Sequence, residues 1–282
     1  MASIAEAVIC EIAKDLPEAE MLRTLRTNIE PYIYNHLSQK YYTKLKDHWD
    51  TYMPPLDSKY AYVIVERRCH PNFDFILKNM AWANPNMAIY IFCSDYNEKF
   101  VYSLLGDKVK NVNIVQAFTG EGGKEGWPEC NRLLCSKDMY SIFHPDTEYI
   151  LTIQMDVFIR RKITDDLFVG DYWGAPWAWN EEAAGGGGAT VRKVATMLDI
   201  CSKHQYHGDP AKEGEDIWFC NKIVEDGYEI KDIEFRATRI MESLSTDDPV
   251  LVHQFWTFLS NEADKSFDEF VAYIEQILTL DM

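Results

Sequence analysis

Between Tyr60 and Ile159 the chain repeats one alternation. Short runs of β-branched and aromatic residues, "YAYVIVE", "MAIYIFCS", "VNIVQAF" and "EYILTIQMDVFI", are separated by "NFDFILKNMAWAN", "EKFVYSLLGD" and "PECNRLLCSKDMYSIF", whose apolar residues fall at helical spacing. Strands alternating with helices of this length predict an α/β fold around a mostly parallel sheet. Ligands of such sheets bind beyond the carboxyl ends of the strands. Those ends are Glu66-Arg67, Ser94-Asp95, Ala117-Phe118 and Gln154 to Asp156. The last is unusual, because Asp156 interrupts an otherwise apolar run. A carboxylate there needs a partner, since burying it unpaired costs several kcal/mol.

Residues 1–58 read as a helical N-terminal extension, with "PPLDS" ending it, and residues 59–282 as one domain. The amphipathic start, "MASIAEAVICEIAKDLPEAEM", is not a signal-peptide pattern. The second half contains a Gly- and Trp-rich stretch (171–193), a helix near 190–203, another over 214–227, a short strand in "PVLVHQFW" and a terminal amphipathic helix. The formal net charge of -17 argues against nucleic acid as a partner, which wants a basic face. Seven Cys without a CxxC pair fit reduced thiols. No run of about 18 apolar residues predicts a membrane span.

Four constellations carry the candidate chemistry. Asp156, with Gln154 two residues before it, either caps the next element or pairs with an arginine such as Arg160 or Arg161, or it holds a metal or substrate at the sheet edge. Gly185 to Gly188, followed by Arg192, is either a flexible loop or a close approach of backbone to ligand, with Arg192 near a helix start. It is not a P-loop, and neither is "GEGGKEG" (120–126), which reads as a mobile surface loop. Glu215-Asp216 is either helix-start capping or a general base. His253 in an apolar strand is either a core residue or a ligand. Cys201, His204 and His207 lie three apart, which on one helix cannot present all three to a zinc ion. Trp173, Trp177 and Trp179 are either core or flat platforms for a ligand ring.

Together these pieces resemble a GT-A type glycosyltransferase. Within that class the segments "VIVERRCHPNFDFILKN", "CNRLLCSKDMYSIFHPDTEYILTIQMDVFIRR", "DYWGAPWAW", "GGGGATVRK" and "GEDIWF", from Tyr60 to Phe219, resemble the DUF5672-type glycosyltransferase-like proteins. Gln154 stands where the wider class has the first acid of Asp-x-Asp, as in that family's own pattern. The four glycines and Thr190-Val191-Arg192 depart from its usual Gly-Asn-Gly-Gly and Ser-Leu-Arg.

The resemblance implies a Rossmann-like GT-A domain, with a nucleotide-binding half (59–156) and an acceptor-binding half (157–282). It implies a metal-dependent, inverting transfer from a nucleotide sugar to a glycan hydroxyl, with a UDP-sugar favoured and UDP-xylose one candidate. Asp156 and His253 would hold Mn2+ or Mg2+. Asp216, or failing it Glu215, would be the base. Glu66, Arg67, Asp95, Arg132, Gln154 and Asp156 would bind the nucleotide sugar. Trp177, Gly186, Gly187 and Arg192 would bind the acceptor. A cytoplasmic enzyme is expected, as in bacteria or in large DNA viruses that glycosylate their capsids. The alternatives are a nucleotide-sugar or glycan-binding protein without turnover, and a metal-dependent phosphohydrolase, for which the chain has few acids and histidines at strand ends.

Overall fold

The computed structural model describes residues 26–122, 126–180, 183–208, 213–244, 246–258 and 267–282. The expected helix over the first twenty-one residues lies outside them.

The alternation seen in the sequence forms the sheet. Strands β1 (Tyr60–Val65), β2 (Ala88–Ser94), β3 (Asn113–Phe118) and β4 (Tyr149–Ile153) are parallel neighbours in the order β3-β2-β1-β4. The chain builds outward from β1 through β2 to β3, then returns to the other side of β1 with β4. That reversal makes the carboxyl ends of β1 and β4 the switch point, where an open α/β sheet leaves a crevice. β6 (Tyr172–Ala175) and β7 (Gly186–Lys193) complete the sheet, β7 running antiparallel to both β4 and β6. The result is a mixed α/β fold on a mostly parallel six-stranded sheet.

Two expected elements are divided. The segment 148–159 is not one strand. After Ile153 the chain turns through Gln154 to Asp156, and β5 (Val157–Ile159) enters a separate sheet of order β5-β9-β8, with β8 Ile240–Met241 and β9 Leu251–His253. The expected helix over 128–143 is broken at Cys135. Ser136 there accepts a hydrogen bond from the Met139 N–H and caps a second short helix.

The Gly-rich stretch is also a correction. Gly186 to Gly188 are not a loop before a helix but the start of β7, and Thr190 to Lys193 are strand too. Their pairing with β4 runs from Tyr149–Lys193 to Ile153–Ala189.

Helix α1 (Glu30–Thr51) buries Ile33, Leu37, Tyr41, Leu45 and Trp49, one stripe at spacing four. That stripe lies in the same hydrophobic core as α2 (Phe73–Ala83), one face of β1 and β2, and the small sheet. A second core covers the other face, with Tyr90, Tyr140, Tyr172 and Phe219. No helix among the described residues is long and apolar enough to cross a membrane.

Candidate functional site

The break after β4 is where the site begins. Gln154 is exposed, and its N–H donates to Gly188 O at 2.8 Å. The turn delivers Asp156 beside β9, whose register sets His253 opposite Val157. Asp156 Oδ1 and His253 Nε2 lie 3.4 Å apart. Asp156 Oδ2 accepts a hydrogen bond from the Gln254 side chain, while Oδ1 is buried with no hydrogen-bond partner. Gln254 has φ 35, the one positive φ among the described non-glycine residues.

Neither arginine pairs with Asp156. Arg160 reaches Asp248 and Thr279, and Arg161 reaches Asp248. On the other side of the imidazole, Glu242 Oε2 lies 3.6 Å from His253 Nδ1. Burial works against a charge on His253, but Asp156 and then Glu242 outweigh it and raise the imidazole to about 10. For Asp156 burial works upward, and His253 with the Gln254 amide holds it below the usual carboxylate range.

The glycine run is what lets these groups approach. A Cβ on Gly188 would come 2.6 Å from His253 Nε2, and one on Gly187 would come 2.5 Å from Glu242 Oε2. A Cβ on Gly186 would meet Asp216 Cβ at 2.6 Å and the Trp177 ring at 2.8 Å. Gly185 and Gly187 have φ of 78 and 81, which glycine adopts without strain. One stretch of bare backbone thus lies against Asp216 and Trp177 at one end and against His253 and Glu242 at the other. Two residues of extended chain span about 7 Å.

The acid pair divides its roles. Glu215 is the first residue of helix α7 (Glu215–Glu225), and both its oxygens accept from Arg192 at 3.0 Å. Arg192 is 1% exposed, donates also to Tyr140 Oη (2.9 Å) and Thr190 Oγ1 (2.8 Å), and lies against the Tyr172 and Phe219 rings. Burial disfavours its charge, but Glu215 and Tyr140 hold it well above the ordinary arginine value.

Two expectations are corrected here. Arg192 cannot contact an acceptor, because it points from β7 into the core. Glu215 cannot serve as the base, because its carboxylate is committed to Arg192. Asp216 is half-buried, its Oδ1 accepting only from the next backbone N–H, Ile217 (2.8 Å).

The tryptophans separate in the same way. Trp173 is core, its indole N–H donating to Val169 O. Trp177 is 6% exposed and stacks on Trp179, which is 61% exposed, at 5.9 Å and 11° between planes. Ser243 pins this segment, donating to Pro176 O and accepting from the Ala178 N–H.

At the end of β1 the expected contacts are rearranged. Glu66 accepts at Oε1 from the N–H groups of Arg67 and Arg68 (2.8 Å each), and both its oxygens accept from the Arg68 guanidinium, so it shapes the turn at the end of β1. Arg67 is buried, paired with Glu129 and bonded to Thr119 O, with Gly122 and Gly126 folded against it. It clamps the 119–126 segment instead of meeting a ligand; residues 123–125 of the expected mobile loop lie outside the described residues. Asp95 accepts from the Gly120 N–H (2.6 Å) and serves the same segment.

Arg132 is exposed on helix α4 (Trp127–Leu134). Arg68, at the end of β1, pairs with Glu66 at 2.7 Å, its side chain half-exposed. It lies within the electrostatic reach of Asp156 and Glu30. Asn72 donates both to Met155 O (2.9 Å) and to Glu30 Oε1 (3.3 Å), tying α1 to the Asp156 turn.

Among the described residues no three His, Cys, Asp or Glu side chains converge on one point. In the Cys201–His204 segment, His204 pairs with Asp226 at 3.0 Å. Asp156 Oδ1 and His253 Nε2 do fit a cation that takes its remaining ligands from water and phosphate, as Mg2+ and Mn2+ do.

Residues 119–245 match the family described as "Protein of unknown function (DUF5672)". That is the family which the stretch from Tyr60 to Phe219 resembles in sequence. The match includes Asp156, the glycine run, Asp216 and Glu242, and stops short of His253.

No curated protein matches the chain. The solved structures similar to it include two glycosyltransferases. Mouse Xyloside xylosyltransferase 1, apo form, is 10% identical with TM-score 0.44, the alignment covering 69% of this chain and 97% of that one. The apo-form glycosyltransferase GlyE of Streptococcus pneumoniae TIGR4 is 10% identical with TM-score 0.45, covering 78% of this chain and 64% of that one, so less than two thirds of its length.

Proposed function

We propose that this chain is a GT-A type glycosyltransferase that moves a sugar from a nucleotide diphosphate donor, a UDP-sugar in the favoured case, to a glycan hydroxyl. The observation that carries this reading is the glycine run. It places an available carboxylate, Asp216, and an acid–imidazole pair, Asp156 with His253, along three consecutive residues beside the switch point of the sheet.

Asp156 and His253 would hold a divalent cation, and a carboxylate with an imidazole suits Mn2+ better than Mg2+. When bound, that cation would neutralise charge on the departing diphosphate. Arg68 adds a positive charge at the end of β1 for the same phosphates. Asp216, with no strong partner, accepts the proton of the acceptor hydroxyl as that oxygen attacks the anomeric carbon. Attack opposite the leaving group inverts the configuration. The exposed face of Trp179, stacked on Trp177, offers a platform to the acceptor ring.

The test is nucleoside diphosphate release from a panel of UDP- and GDP-sugars, UDP-xylose among them, with and without manganese and with glycan acceptors. Asp216→Asn should retain donor binding and lose about 10²- to 10⁴-fold in transfer. Asp156→Ala should lose the metal-dependent part of nucleotide binding. Transfer at the parent rate by Asp216→Asn would move the base elsewhere. Binding of a nucleotide sugar with no release under any condition would favour the second reading, a binding protein, to which the small number of converging ligands lends weight.

A further inference from the structure

His253 has a carboxylate on each side of its ring. Asp156 Oδ1 faces Nε2 at 3.4 Å, and Glu242 Oε2 faces Nδ1 at 3.6 Å. Glu242 follows β8 directly, is 4% exposed, and its Oε2 has no hydrogen-bond partner. A carboxylate so buried is costly unless a cation or donor answers it. The partner the structure provides is the imidazole. Space for this approach comes from Gly187, where a Cβ would stand 2.5 Å from Glu242 Oε2 and 2.9 Å from His253 Nδ1.

Resting on the cation site proposed above, we propose that Glu242 is its positioning residue. It orients the His253 ring through Nδ1, so that Nε2 presents its lone pair beside Asp156. A metal-binding imidazole commonly donates its second N–H to a carboxylate, which fixes both ring orientation and tautomer. The geometry here requires such a group. The Gly188 N–H also points at Nδ1, at 3.2 Å, and as a donor it favours a ring with its proton on Nε2, the form whose Nε2 cannot bind a cation. Glu242, which only accepts, favours the opposite form. It lies on the far side of the ring from Asp156, so it supports the ligand pair without joining it.

The experiment is calorimetric titration of Mn2+ into the full chain with saturating UDP, for the parent, Asp156→Ala, Glu242→Gln and Glu242→Asp. Thermal melts and metal-free UDP binding serve as controls for folding. Glu242→Gln should weaken Mn2+ about 10- to 100-fold, with metal-free UDP binding unchanged and part of the loss restored in Glu242→Asp. With Mg2+ and UDP, nitrogen-15 spectra of the histidine rings should show His253, assigned by loss of its signal in His253→Asn, carrying its proton on Nδ1.

Parent-like Mn2+ affinity in both Glu242 variants, with Asp156→Ala still impaired, would overturn this inference and leave the cation site standing. No Mn2+ binding by the parent, or none that depends on Asp156, would overturn both. If Glu242→Gln fails to fold, the His253 tautomer in the parent decides alone, and a proton on Nε2 in the loaded protein overturns the proposal.

Discussion

Gly188 separates packing from chemistry at the scale of one residue. Its φ is ordinary, so alanine there meets no backbone penalty. What alanine meets is His253 Nε2 at 2.6 Å and the Val157 side chain at 2.9 Å, both buried. Overpacking of this kind costs about 1–3 kcal/mol. Gly188→Ala should therefore lower the unfolding free energy in urea by that amount and also displace the imidazole from Asp156, weakening manganese-dependent UDP binding more than metal-free UDP binding. Equal effects on the two would mean that the glycine serves the fold alone. Arg68 belongs to the same scale. It is the second arginine of Glu66-Arg67-Arg68-Cys69, and the chain offers no local sign of which arginine faces solvent. Arg67 turns inward because Glu129 and the 119–120 carbonyls lie within reach of it, and they are more than fifty positions away.

At the scale of elements, the α7 start and β7 are joined by a buried ion pair. Arg192 and Glu215 each satisfy the other, and the pair fixes the helix end from which Asp216 projects. Removing one member leaves an uncompensated buried charge, which costs about 3–5 kcal/mol. Glu215→Ala should show a loss of that size in denaturant unfolding, whereas Glu215→Ala combined with Arg192→Leu should recover part of it. An unchanged midpoint in the single variant would mean that water reaches Arg192. The same elements show where sequence reading succeeds and stops. β1, β2 and β4 are legible because strands buried on both faces are continuous apolar runs. β7 is not, because glycine is depleted in strands, and here it pairs through Ala189 to Val191 with a β4 almost forty positions earlier. Placing the helix start at 190 instead of 194 put Arg192 at a helix end when it is an inward strand residue. As candidates, Asp156, Asp216 and His253 were legible in the sequence because each interrupts or opens a regular pattern. Glu242 was not, since β8 has two residues and signals nothing until β9 pairs with it.

At the scale of the whole molecule, the buried thiols give the fold a pH dependence whose sign can be derived. Burial raises Cys93 and Cys130 to about 11, and Cys201 and Cys220 to about 12. Unfolded thiols ionise near 8.5. These are groups raised in the folded state. Their stabilising contribution is complete below the unfolded value and is lost as pH climbs toward the folded ones, because the unfolded chain then binds fewer protons. His253, raised to about 10 beside Asp156, acts with the same sign from about 6.5 upward. Without divalent cation and under reducing conditions, stability should decline gently between pH 6.5 and 8.5, then more steeply between 8.5 and 9.5. Urea midpoints at closely spaced pH values would measure the change of slope. Replacing Cys130, Cys201 and Cys220 by alanine should reduce the slope above pH 8.5 and leave the lower part as it was, while His253→Asn should reduce the slope over the whole range from about 6.5 to about 10. A slope above pH 8.5 as steep after loss of the three thiols as before it would show that these cysteines ionise in the folded protein as they do in the unfolded chain.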